Sequence, residues 1–278
     1  MVEIGKINAL RIVKEVDFGL YLDGGEKGEI LLPKRYVPEQ YEIDEIIDVF
    51  IYNDSEDRII ATTEKPYAMV GDFALLEVVS VNKIGAFLDW GLAKDLLVPF
   101  REQKAKMIEG NSYIVAIYLD DESKRIAATS KIDKLLDNVP AEYEVNQEVD
   151  LLIYSKTDLG YKVIINKLHW GMLYDNQVFQ ELERGQHLKG YIQKVRDDEK
   201  IDVTLHKPGY EKIDALAQLI LNELKENHGF LSVNDKSTSE EIHELFGESK
   251  KTFKKAIGQL YKKGIISIND TGIELIAK

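Results

Sequence analysis

A mainly β chain of small five-stranded barrels in tandem, followed by a C-terminal α+β domain, is the fold class predicted by three features of the sequence. Short segments of alternating apolar and polar residues fill the first three quarters. They recur in register roughly every 65 to 75 residues, a spacing that fits a small domain used repeatedly. After Lys207-Pro208-Gly209 the apolar period changes from two to about 3.6.

The clearest copy is residues 70–99, VGDFALLEVVSVNKIGAFLDWGLAKDLLVP. Alternation and β-branched content predict strands over 72–81, over IGAFLDW, and over 95–98, with turn chemistry at Asn82-Lys83 and Gly91. The opening segment repeats this. Gly5 falls on Gly71, Gly19 on Gly85 and Pro33 on Pro99, with 14 residues between successive landmarks. Two more strands follow each proline, over 45–51 and 58–63, and over 113–118 and 125–130. Acidic, turn-forming links, NDSED and DDESK, join them. A fainter third copy begins VNQEVDLLIYSKTDLGYKVIIN, with Gly160 at the glycine position and Leu173-Tyr174 in place of Leu-Pro and Val-Pro. It closes with strands over 187–195 and 200–205, and Thr62, Thr129 and Thr204 stand in register.

Five strands with the long connection between the third and fourth have the rhythm of a Greek-key barrel such as the OB-fold. A strand bent hard to close a small barrel favours glycine, so barrel closure is preferred over ligand contact for Gly19, Gly85 and Gly160. In the last quarter, residues 213–226 place Ile213, Leu216, Ala217, Ile220, Leu221 and Leu224 on one helical face. FLSVND reads as a short strand. Ser237-Thr238-Ser239 caps a helix running to Phe246, Gly247 turns the chain, and Ser249 caps another helix closed by Gly264. Strands over 265–268 and 272–276 complete the order of a winged helix-turn-helix. The expected domains are 1–66, 67–138, 139–208 and 209–278.

Composition bounds the function. The 278 residues include no cysteine, which removes thiolate chemistry and Cys-type metal sites and fits a reducing cytoplasm. No apolar run approaches the roughly 20 residues needed to span a bilayer, and the N-terminus lacks the pattern of a signal peptide. The net charge of −13 is a poor footprint for indiscriminate nucleic-acid binding. More than half of that excess lies in residues 1–66, so a polyanion surface is expected downstream. His169, His187, His206, His228 and His243 are scattered without metal-type spacing, and GGEKGE lacks the length and ending of a phosphate loop. No catalytic site, cofactor or metal is expected.

GDFALLEVVSVNKIGAFLDW followed by LLVP resembles the S-one RNA-binding domain, the OB-type repeat named after a ribosomal protein. With the C-terminal DKSTSEEIHELFGESKKTFKKAIGQLYKKGIISI, the whole chain resembles the bacterial conserved virulence factor B family. The resemblance implies a cytoplasmic RNA-binding regulator of gene expression with no catalytic activity of its own, and single-stranded RNA is the preferred ligand. The alternatives are a protein-interaction adaptor docking on a ribosomal or RNA-processing partner, and a DNA-binding regulator acting through Ser249–Lys263. It also implies that two aromatics flanking the second-strand glycine, a residue ending strand three and a basic residue of strand five meet RNA. Phe18 and Tyr21 match both aromatics in the first copy; the second keeps Phe87 but has Ile84. The third has Leu159 and Lys162 there, with Tyr161 on the opposite face. Pro33, Pro99 and Tyr174 end strand three, and Arg58, Arg125 and Lys200 take the basic place.

Each of these residues also has a structural reading. Phe18 and Tyr21, three apart, point to opposite faces of a regular strand, so a bulge at Gly19 would be needed to expose both. In the last helix, Lys250, Lys251, Lys254 and Lys255 cluster on one side, opposite Phe253, Ala256, Ile257 and Leu260. With only Gln259 suited to base edges, backbone contact or a solvated face is expected there rather than DNA reading.

Overall fold

The computed structural model describes residues 1–175, 178, 181–205 and 211–276. His206, the break at Lys207-Pro208-Gly209 and the side chain of Ile213 lie outside the described residues. The chain divides into two compact units, 1–140 with 166–169, and 141–165 with 170–278.

In the first unit, β1 (Ile7–Val16), β2 (Gly19–Asp23), β3 (Glu29–Pro33), β4 (Ile46–Asn53) and β5 (Ile59–Thr62) close into a barrel in the order β1-β2-β3-β5-β4. Alternation sends Leu20, Leu22, Ile30 and Leu32 inward to meet Ile12, Val49 and Ile51. The second copy forms β6 (Phe73–Val81), β7 (Gly85–Leu88), β8 (Leu96–Pro99), β9 (Ser112–Leu119) and β10 (Ile126–Thr129) in the same spatial sequence. Here the hydrogen-bonded sheet stays open between β8 and β10, where a closed barrel is expected from the sequence. That seam is thin in the first barrel too, a single pair at Leu31 and Ile60. In the second, Val98 and Ala128 are fully buried in one core, so the seam is packed without a ladder.

The two barrels of this unit share apolar surface. Along β4 the five residues from Val49 to Asn53 are all buried, the mark of a strand covered on both faces. Val49 and Ile51 fill their own barrel, while Phe50 and Tyr52 belong to the core of the second. Phe50 meets Trp90 edge-on, with centroids 5.6 Å apart at 78°.

In the second unit, β11 (Glu148–Thr157), β12 (Gly160–Ile165), β13 (His169–Tyr174), β14 (His187–Val195) and β15 (Ile201–Thr204) form a closed barrel of the same order. The glycines do what closure asks. A Cβ on Gly19, Gly85 or Gly160 would fall 2.1, 2.3 or 2.2 Å from the carbonyl oxygen of Leu32, Val98 or Leu173.

The C-terminal domain comprises α1 (Glu211–Glu226), β16 (Phe230–Leu231), α2 (Ser239–Phe246), α3 (Lys250–Lys262), β17 (Ile266–Asn269) and β18 (Gly272–Leu275). Thr238 and Glu241 form the reciprocal capping box, Gly247 ends α2 in the left-handed region, and the Ser249 side chain accepts from the N–H of Thr252. Leu216, Ile220, Leu224, Ile242, Phe253 and Ile257 pack beneath the sheet β16-β18-β17. No helix among the described residues is long and apolar enough to cross a membrane.

Candidate nucleic-acid interface

One local device is repeated on all three barrels. The first strand gains an extra residue between Ile12 and Lys14, between Val78 and Ser80, and between Ile153 and Ser155. Such a bulge re-aims a side chain, and the residues concerned are Val13, Val79 and Tyr154. The carbonyl before each glycine is pinned by the N–H that follows strand three: Lys34 to Phe18 at 2.9 Å, Phe100 to Ile84 at 3.3 Å and Asp175 to Leu159 at 3.1 Å. Phe18, Ile84 and Leu159 are thereby held exposed at the barrel rim.

Phe18 sits in the turn ahead of β2, outside the strand, so strand alternation does not govern it. Both Phe18 and Tyr21 face outward and meet edge-on at 6.2 Å. The bulge of this barrel lies in β1, opposite Tyr21, and not at Gly19. Lys14, a residue the alternation pattern does not single out, holds its ammonium 4.9 Å from the Tyr21 ring centre and 2.6 Å from Glu29. Arg58 bonds Asp54 and Glu56 of its own turn. In the second barrel Phe87 is half-buried, and Arg125 pairs with Asp57.

The third barrel departs most from the other two. Buried Gly171 and Leu173 alternate with Trp170, Met172 and Tyr174, which face outward along about 13 Å of β13. Lys162 projects from β12 to place its ammonium 3.5 Å from the Trp170 ring centre and 5.7 Å from that of Tyr154. Tyr154, turned by the bulge, meets Trp170 at 4.9 Å. Tyr161 is buried, facing inward as expected. At the far end of the face, Arg196 donates to Asp202 at 2.8 Å and to the Tyr174 hydroxyl. The bond to Asp202 is the main reason the guanidinium is held even more firmly protonated than usual. Arg196 occupies the position of Asp54 and Asp120, whose carboxylates accept turn N–H groups in the other barrels. Lys200 points away to Asp198 at 2.7 Å.

On α3, Lys250 reaches the Lys236 carbonyl at 3.4 Å, Lys254 lies 4.0 Å from Asp235, and Lys251 and Lys255 are exposed. Phe253, Ala256, Ile257 and Leu260 take the buried side, as their spacing requires. Sequence reasoning missed Tyr154, Trp170 and Arg196. Aligning the third copy on its glycine would have put Trp170 level with Glu29 and Asp95, an aromatic where the other copies carry acids. No group of three or more potential metal ligands occurs among the described residues.

Two family models match parts of this chain. Residues 4–64 and 70–130 match the S1 (S-one) domain, and residues 218–275 match the CvfB-like winged helix domain. The third barrel lies outside both matches. "Uncharacterized protein YitL" of Bacillus subtilis is 27% identical over 269 residues, covering 94% of this chain and 89% of that protein. "Conserved virulence factor B" of Staphylococcus epidermidis is 26% identical over 286 residues, covering 99% and 95%. A solved multidomain protein with nucleic acid binding domains from Streptococcus pneumoniae is 26% identical over 98% of both chains, with a TM-score of 0.42.

Proposed function

The chain belongs to the conserved virulence factor B family, and from that premise we propose that it is a cytoplasmic, non-catalytic protein that binds single-stranded RNA and regulates gene expression after transcription. The observation that carries this reading is the outer face of the third barrel, where Tyr154, Trp170 and Tyr174 lie beside Lys162 and Arg196. Unpaired bases expose flat π-faces and a chain of phosphates, so rings with adjacent cations are the complementary chemistry. Lys162 shields Trp170 in the free protein. On binding, its flexible stem swings the ammonium to a phosphate and a base takes its place over the indole. Arg196, anchored by Asp202, offers its remaining N–H donors to the next phosphate. Phe18 and Tyr21 supply a second, smaller platform on the first barrel. Nothing in these contacts reads base edges, which predicts low sequence discrimination.

The test is fluorescence anisotropy of a short labelled single-stranded RNA with the full chain, at two salt concentrations and with duplex DNA as competitor. Trp170→Ala should cost about 1–3 kcal/mol of affinity, the usual value of one stacked base. Retained affinity in a correctly folded Trp170→Ala protein removes the third-barrel face from the mechanism. Absence of RNA binding by the unaltered chain at low salt defeats the reading as a whole and favours a protein partner.

A further inference from the structure

The corresponding face of the second barrel is already occupied. A cleft of about 500 Å³ runs between the first two barrels, with Phe87, Tyr118 and Arg125 on one wall and Asn53 and Asp57 on the other. The 54–58 turn of the first barrel leans into it. Asp57 adopts a left-handed backbone (φ 65°), its N–H bonding the Asp54 carbonyl at 3.1 Å and its own carbonyl accepting from the Asn53 amide at 3.3 Å. That conformation presents the Asp57 carboxylate to the Arg125 guanidinium, 68 residues away in sequence. Lys94, also from the second barrel, donates to the carbonyls of Asn53 and Asp54 at 3.0 and 2.7 Å. Phe50 of the first barrel and Trp90 of the second meet edge-on in the core the two share. The other arginine of the cleft, Arg101, lies 3.6 Å from Asp120.

We propose that the 54–58 turn of the first barrel is the resident ligand of the second barrel's nucleic-acid face, with the Asp57 carboxylate standing on Arg125 where an RNA phosphate would otherwise stand. A carboxylate and a phosphate oxygen present the same chemistry to a guanidinium, an anionic acceptor at hydrogen-bond distance. An RNA strand must therefore displace an intramolecular anion before it can use Arg125. The second barrel stays silent while the third binds, and the first two barrels work as one body. This inference rests on the RNA-binding reading above, but its test is separable from it.

Salt-dependent RNA binding is measured for the unaltered full-length protein, Asp57→Asn, and Asp57→Asn combined with Arg125→Ala. Both side chains are about half exposed, so all three proteins should fold, which thermal unfolding checks. Freeing Arg125 adds one phosphate contact to a single strand, so Asp57→Asn should tighten binding at low salt and steepen the slope of log K against log salt by about 0.7. The double variant should lose that gain. An unchanged slope in Asp57→Asn overturns the proposal. A gain that survives Arg125→Ala also overturns it, because removal of a negative charge alone then accounts for the effect. If the unaltered chain binds no RNA while Asp57→Asn binds through Arg125, the third-barrel reading fails and the occupied second face stands.

Discussion

Replacing Gly85 with alanine adds one methyl group at the start of β7, where the strand lies close against the end of β8. The new Cβ would lie 2.3 Å from the Val98 carbonyl oxygen and 2.9 Å from both the Val98 carbonyl carbon and the Pro99 Cα. All three neighbours are backbone, so no rotamer change relieves the contact; β7 and β8 must separate at the end of their ladder, where Gly85 pairs with Pro99. Overpacking of this kind costs about 1–3 kcal/mol. The bond from the Phe100 N–H to the Ile84 carbonyl, 3.3 Å long, adds about 1 kcal/mol if it breaks. The sum, about 2–4 kcal/mol, lowers the melting temperature of a unit this size by roughly 6–12 °C at about 3 °C per kcal/mol. Gly19→Ala should cost more, because the same clash (2.1 Å from the Leu32 carbonyl oxygen) is joined by a φ of +151° that alanine resists. Differential scanning calorimetry of both variants decides the matter. A Gly85→Ala protein melting within a degree of the parent would refute close approach as the reason for this glycine.

Three further outcomes are expected. Thr238→Ala removes half of the capping box and should destabilise the C-terminal domain by about 1 kcal/mol, read by denaturant titration, with no change in the first unit. Asp120 is held below the usual carboxylate range, first by the Ser123 N–H, then by the Ser123 hydroxyl. Its stabilisation is complete above the ordinary carboxylate pKa and is lost as pH falls through the lowered folded value. Asp120→Asn should therefore flatten the acid side of the stability curve, measured as melting temperature against pH; an unaltered acid slope would contradict it. Phe18→Ala, at a side chain 56% exposed, should weaken RNA binding severalfold while leaving the melting temperature unchanged.

Much of the architecture is legible because glycine, proline and strand period act as local rulers. The landmarks Gly5, Gly19 and Pro33 recur as Gly71, Gly85 and Pro99, and the nine barrel strands that the sequence bounds explicitly differ from those observed only at their ends. Helix ends were equally readable, since Thr238, Gly247 and Ser249 cap by side-chain and backbone chemistry that spans only three or four residues. The candidate site was less legible. Alternation describes only residues inside a strand, so it misjudged Phe18, which lies in a turn, and passed over Tyr154, whose orientation is set by a bulge. The resemblance pointed to Arg58, Arg125 and Lys200 within strand five; each stands one residue ahead of that strand, and their partners were not legible. That Arg125 meets Asp57 follows from how two barrels pack, and no local pattern encodes it.

The strand buried on both faces has a bearing on how this chain can be divided. A cut at residue 66 follows the repeat but runs through a common core. The first barrel expressed alone would present Phe50, Tyr52 and Ile60 to water, and an apolar patch on a sheet surface invites self-association. Its partner would lose the ring that closes over Trp90. The two repeats that look most alike are thus two that cannot be separated without opening a common core.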